Sequence, residues 1–217
     1  MSYQLEKEEV VNFFENHVLK YIIPDLENLM KIKANEDGSG ACAVPQAMTT
    51  FSVCDLFGYL LDKQEAGALN PRIKYFLKIK SLFGNLIQGA ISKDLDIILN
   101  VLSDDVRSSI AHRFFLIKFD ITKDNTNALI SNNADRLVFH TNFFTKKVMN
   151  AIKLIHQQIV NDIFKMDFDK TKEDTIKRIH DRLKTLKAHA SKSFLAFEAT
   201  YDINEFPTTT TQTTQPP

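Results

Sequence analysis

Arg107 and His112, separated by four residues, are the pair of side chains in this sequence best suited to chemistry on a phosphodiester. A guanidinium holds phosphate oxygens through paired hydrogen bonds. An imidazole gains and loses a proton near neutral pH, so it can act as a general acid or base. The two side chains therefore form a minimal set for cleaving RNA, with His112 moving a proton and Arg107 stabilising the phosphate.

A second arginine and histidine, Arg182 and His189, are separated by six residues. On an ideal helix, residues seven apart share one face to within about 20°, whereas residues five apart point about 140° away from each other. Geometry alone favours this later pair over Arg107 and His112. However, His112 is expected at or just past a helix end, where the chain can turn. The later pair is the weaker alternative because it lies among lysines typical of a solvated basic face: Lys184, Lys187 and Lys192.

Motifs for other chemistries are absent from the sequence. It contains no GxxxxGK[ST] loop and no GxGxxG after a strand, so nucleotide binding by those devices is not expected. No HExxH motif or Cys/His cluster indicates a zinc site, and no GxSxG elbow indicates a serine hydrolase. Cys42 and Cys54 are predicted to be buried thiols in a reducing compartment. We therefore expect no metal and no cofactor.

The segment that must position Arg107 and His112 begins like a helix and ends like a strand. Ser103 can cap free N–H groups, and two aspartates follow it where the helix dipole favours negative charge. Apolar residues then alternate with others in a pattern typical of a strand: Phe115, Ile117, Phe119 and Ile121.

Upstream, residues 41–48 (ACAVPQAM) lead into residues 57–61 (FGYLL). This segment and the Arg107–His112 spacing resemble the "AVP…GxLL" helix and R-x4-6-H motif of one bacterial branch of the HEPN family. HEPN domains are all-helical, and many are metal-independent ribonucleases. The resemblance implies an RNA-binding endoribonuclease that forms a homodimer, in which two copies of the motif meet in one composite cleft.

Ser108 departs from the HEPN pattern, because active members often carry Asn, Asp, His or Lys directly after the arginine. Ser108 can still donate a hydrogen bond and is kept as a supporting residue. The alternative is a catalytically inactive HEPN binding or scaffold module that acts through a nucleotide or through a protein encoded nearby.

Apolar periodicity predicts further helices over residues 5–33, 44–62, 70–83, 93–101, 141–163 and 171–197. Pro24 is expected to interrupt the first, with Tyr21 and His17 on its apolar side. Short strands are predicted at 128–131 and 136–140. His140 is a candidate third polar contributor to the site, but a surface position on the strand is favoured. The predicted fold is mainly α: a HEPN-like helical bundle spanning residues 1–206, with a small β-hairpin insertion at about 112–140 after the motif helix. Residues 207–217, rich in Thr, Gln and Pro, are expected to be a disordered tail.

The 217 residues carry a formal net charge of zero, which does not favour a tight nonspecific grip on nucleic acid. The charge is uneven: residues 1–40 hold four Lys against eight Asp and Glu, and residues 146–192 hold twelve Lys and Arg against six Asp and Glu. The N-terminal residues lack the apolar run of a signal peptide, and no stretch is long enough to span a membrane. A cytoplasmic protein without membrane contact is expected.

Overall fold

The computed structural model describes residues 2–33, 42–62, 69–83, 119–124, 128–133 and 136–200, together with Asn100 and Val106. These residues form a mainly helical structure with one small three-stranded sheet, which confirms the predicted fold class at that level. The predicted helix at 93–101 (apart from Asn100), most of the motif segment and the tail at 207–217 lie outside the described residues.

The N-terminal helix contains a wide turn in its middle. Helix α1 (Tyr3–Phe13) continues into a π-helical segment (Phe14–Ile22) and then into α2 (Ile23–Lys31). Pro24 lies at the start of α2. Proline has no N–H and its ring collides with the carbonyl four residues earlier, so a normal α turn cannot run through it. The π-helical turns absorb this conflict without ending the helix.

The π-helical segment changes which side chains face the core. Its i→i+5 hydrogen bonds widen each turn, so a step of five residues enters the apolar spacing of three and four. The buried residues are spaced by four, five and three: Phe14, Val18, Ile23 and Leu26. The predicted positions of Tyr21 and His17 on the apolar side are therefore wrong. Tyr21 is 54% exposed, and His17 is also exposed.

Helix α3 (Ala43–Leu61) is the central buried helix and matches its prediction closely. It is followed by α4 (Leu69–Leu77) and the short α5 (Lys80–Phe83), where one continuous helix was predicted. A Cβ added at Gly58 would lie 2.1 Å from the carbonyl oxygen of Arg72. Only glycine permits this contact between α3 and the α4 backbone.

The sheet has the strand order β1-β3-β2, formed by β1 (Phe119–Thr122), β2 (Ile130–Asn133) and β3 (Arg136–His140). Strands β2 and β3 pair antiparallel, as the predicted hairpin requires. Strand β1 pairs parallel to β3, with Phe119 opposite Leu137. A tight turn joins only antiparallel strands, so the sheet is more than the predicted hairpin.

Helices α6 (Thr141–Val160) and α7 (Lys172–Thr200) complete the bundle. The predicted apolar stripe of α6 is buried at five positions: Phe144, Val148, Ile152, Ile155 and Ile159. Ile163 was predicted to continue it but is 66% exposed, because the helix ends before it and Asp162 adopts a positive φ of 62°. Within the described residues, no helix combines the length and the apolar character needed to cross a bilayer.

Candidate functional site

Arg107, Ser108 and His112 lie outside the described residues, so the structure describes this candidate site only through the residues on either side of it. Val106, which directly precedes Arg107, is fully buried and belongs to the main hydrophobic core. Downstream, the chain enters the described residues again at the start of β1. The motif is thus bounded in sequence by a core residue and by a strand of the sheet.

The N-terminus of α6 fixes the end of that strand. Thr141 Oγ1 donates a hydrogen bond to the carbonyl oxygen of Thr122 over 3.0 Å, and Asn142 Nδ2 donates to that of Lys123. The ammonium of Lys123 in turn donates to two carbonyls at the end of α2, those of Leu29 and Ile32. Burial lowers the pKa of Lys123. The segment that follows the motif is therefore tied to two helices.

Gln46, within the AVP-containing part of α3, connects that helix to the same junction. Its Nε2 lies 3.1 Å from Asn142 Oδ1 and 2.9 Å from Thr145 Oγ1. Thr145 also lies 2.9 Å from the hydroxyl of Thr50. All four side chains are buried, and none of them titrates. The network cannot move a proton as an acid or base, but it fixes the position of α3 relative to the start of α6.

His140 lies at the end of β3 and is only 4% exposed. Its Nε2 is 2.7 Å from the hydroxyl of Ser131, and its Nδ1 has no hydrogen-bond partner among the described residues. Burial lowers its pKa, which favours the neutral imidazole. The predicted surface position is wrong because β3 is the middle strand and leads straight into the buried start of α6.

The weaker pair, Arg182 and His189, has two different environments. Arg182 Nη2 donates to the carbonyl oxygen of Asp62 over 2.8 Å, at the C-terminal end of α3. Its guanidinium carbon is 4.7 Å from the ring centre of Tyr59, and that of Arg72 is at the same distance from this ring. His189 is exposed. The described contacts of Arg182 are those of a side chain that holds α7 against α3.

A second arginine of α7 is held by a carboxylate. Arg178 donates two hydrogen bonds to Asp169, over 2.5 and 2.7 Å, and its guanidinium lies 4.6 Å from the ring centre of Phe168. Thr175 also donates to Asp169. The Asp169 side chain is 5% exposed, so this is a buried, bidentate ion pair. It fixes the loop before α7 to the first turns of that helix.

Two histidines contact carboxylates of the N-terminal helix. His180 Nε2 lies 3.2 Å from Glu9 Oε2, and His156 Nε2 lies 3.6 Å from Glu15 Oε1. These contacts join α7 to α1 and α6 to the π-helical segment. Each histidine has one carboxylate across a helix interface, a pattern that sequence spacing could not reveal.

No group of three or more His, Cys, Asp or Glu side chains in the described part of the chain is arranged to hold a metal ion. Cys42 and Cys54 are free thiols. Cys54 is fully buried, as predicted, and burial raises its pKa, whereas Cys42 is half-buried.

Comparisons of this chain with protein-family models, with curated proteins and with solved structures found no match.

Proposed function

We propose that this protein is a cytoplasmic, HEPN-like RNA-binding protein that cleaves RNA without a metal ion, using Arg107 and His112 in a homodimeric cleft. The observation that carries the proposal is the spacing of these two residues directly after a core position, Val106. Two further features support it. The AVP…GxLL segment forms the buried helix α3, and the described residues are mainly helical.

The proposed reaction is an internal transesterification. His112 removes the proton from a ribose 2′-hydroxyl, and the 2′-oxygen attacks the adjacent phosphorus. The bond from phosphorus to the 5′-oxygen breaks, and that oxygen takes a proton from water and leaves as a 5′-hydroxyl, while His112 gives up the proton that it removed. Arg107 stabilises the charge on the pentacoordinate phosphorane. The products carry a 2′,3′-cyclic phosphate and a 5′-hydroxyl, and no oxidant or metal is consumed.

A homodimer would account for RNA binding by a chain of zero net charge. A twofold axis places the same surface of both chains together, so two copies of Arg107 and His112 would face one cleft. The cleft would then have a positive charge that neither chain has alone. Sedimentation across a range of concentrations should show a dimer, and a monomer at all concentrations would contradict the composite cleft.

Cleavage of a structureless RNA in excess EDTA tests the catalytic part of the proposal. Because general acid–base catalysis typically supplies about 10²–10⁴-fold, His112→Ala should reduce the rate by roughly that factor. Arg107→Ala should also lower the rate. The matched control is His17→Ala, which removes an exposed histidine of the π-helical segment and should leave cleavage unchanged. Equal rates for the wild type and His112→Ala would overturn the proposal.

A catalytically inactive binding or scaffold module is the second candidate, and Ser108 is the observation that favours it. In this case the protein acts through a nucleotide or a protein partner. Purified protein would retain RNA or nucleotide without cutting RNA, so His112→Ala would have no cleavage rate to lower. The same assay therefore separates the two candidates.

A further inference from the structure

Helix α7 continues well beyond the part that packs on the bundle. We call its residues 184–193 the basic arm. All ten of these residues are exposed, whereas Ile176, Ile179 and Leu183 in the preceding turns are buried. A helix without a packed face gains little from tertiary contacts, so the arm presents its side chains to solvent or to a partner.

The charge of the basic arm is of one sign. It contains Lys184, Lys187, Lys192 and His189, and no Asp or Glu. In the described residues none of these lysines forms a salt bridge. Four lysines outside the arm do form ion pairs with described carboxylates: Lys7, Lys153, Lys172 and Lys177. Lys184 also helps to lower the pKa of the Asp181 carboxyl, but that carboxylate is already paired with Lys177. The arm is therefore a predominantly positive surface.

The three lysines form a stripe. At 100° per residue, Lys184, Lys187 and Lys192 fall within about 140° of the helix circumference and extend over roughly 12 Å of its length. A stripe of ammonium groups of this kind can follow the phosphates of one nucleic-acid strand. Lysine suits this contact because its ammonium group is carried on a flexible side chain and can contact a phosphate from several directions.

We propose that the basic arm binds the phosphate backbone of single-stranded RNA, as a surface additional to the Arg107–His112 site. The choice of RNA among polyanions rests on the proposed function. An anionic membrane is less suited, because Leu186 is the only large apolar side chain among the ten residues, whereas a membrane-surface helix needs a broad apolar face. The arm would add sequence-independent affinity for RNA.

Fluorescence anisotropy with a labelled oligouridylate tests this inference. The full chain with His112→Ala is used as the background, so that RNA stays intact. Replacing Lys184, Lys187 and Lys192 with Gln should weaken binding on the order of 100-fold at 0.1 M salt, and should reduce the slope of log affinity against log salt by about 2. Gln and Lys have similar helix propensity, so circular dichroism and the melting temperature should not change.

A matched variant replaces three exposed lysines of the N-terminal helix and its C-terminal extension with Gln: Lys20, Lys31 and Lys33. It makes the same change in net charge and should keep nearly all of the affinity. Equal loss in both variants would contradict the inference, because total charge rather than the arm would then govern binding. Arm-dependent binding to phosphatidylserine vesicles without RNA binding, or arm-dependent self-association alone, would also overturn it.

The two proposals fail in different ways. If the wild type binds RNA through the arm but never cuts it, the catalytic proposal fails and the arm stands. If the wild type cuts RNA and the lysine variant binds as tightly as its parent, the arm inference fails and the catalytic proposal stands.

Discussion

The two halves of α7 form one continuous helix but have different surroundings. Over residues 172–183 the helix buries its apolar positions and engages Arg178 and Arg182 with Asp169 and the end of α3. Over residues 184–193 every side chain is exposed. The apolar spacing continues into the second half, since Leu186 lies three residues after the buried Leu183, yet Leu186 is 37% exposed. Apolar periodicity thus predicts a helix, but it does not predict how far along that helix the packing against other helices extends.

The largest expected effect concerns the buried ion pair of the packed half. Asp169→Ala should cost about 3–5 kcal/mol of unfolding free energy, because it leaves the guanidinium of Arg178 without its buried partner. Lys177→Ala is the control on the same helix. It breaks the exposed Lys177–Asp181 pair and should change the unfolding free energy far less, because water solvates both charges in the folded state. Urea unfolding of the three proteins measures both changes, and similar losses would show that the two pairs are equally solvated.

A second comparison uses apolar side chains in the two halves. Ile179→Ala removes a side chain that is 1% exposed and should destabilise the protein by about 2–5 kcal/mol. Leu186→Ala should cost less than about 0.5 kcal/mol, as is usual for surface positions. Thermal or urea unfolding distinguishes the two. A large loss for Leu186→Ala would mean that the arm is packed in solution, and would contradict its role as an open surface.

The smallest expected effect is a pH dependence at the point where α6, α7 and α1 meet. Hydrogen bonds from Lys172 and Tyr3 lower the pKa of Asp162 to about 2, below its ordinary value of 3.8. A lowered carboxyl pKa contributes stability above the unfolded value, and this is lost as the pH falls from about 4 towards 2. Unfolding free energies measured across this range should fall for the wild type.

Asp162→Asn is the matched variant, because asparagine tolerates the positive φ of this position. It should be less stable than the wild type at neutral pH, and the difference should shrink as the pH falls through this window. A constant difference between pH 4 and 2 would show that Asp162 does not contribute this pH dependence.

The sequence predicted the elements better than their contacts. Helices α3, α6 and α7 follow from apolar spacing over many turns, where the signal accumulates. The π-helical segment was missed because the spacing rule assumes regular turns, so Tyr21 and His17 were placed on the wrong side. The burial of His140 was missed because strand alternation does not reveal which strand is in the middle of a sheet.

The candidate sites, too, are predictable from sequence only where their residues are close along the chain. The Arg107–His112 motif is visible in sequence because its two residues are close along the chain. By contrast, the contacts of Arg182 with Tyr59 and Asp62 join residues more than 100 positions apart. Nothing in local spacing encodes such a contact, so this arginine could be judged only from the folded chain.

The most direct test of the proposed function is the chemical identity of the RNA ends produced in EDTA. If Arg107 and His112 catalyse transesterification, the wild type and His17→Ala should yield 2′,3′-cyclic phosphate and 5′-hydroxyl ends, and His112→Ala should yield almost none. An RNA whose cleavage site carries a 2′-deoxyribose should remain intact, since it lacks the attacking hydroxyl. Products with 5′-phosphate ends, or cyclic phosphates formed equally by His112→Ala, would contradict the account.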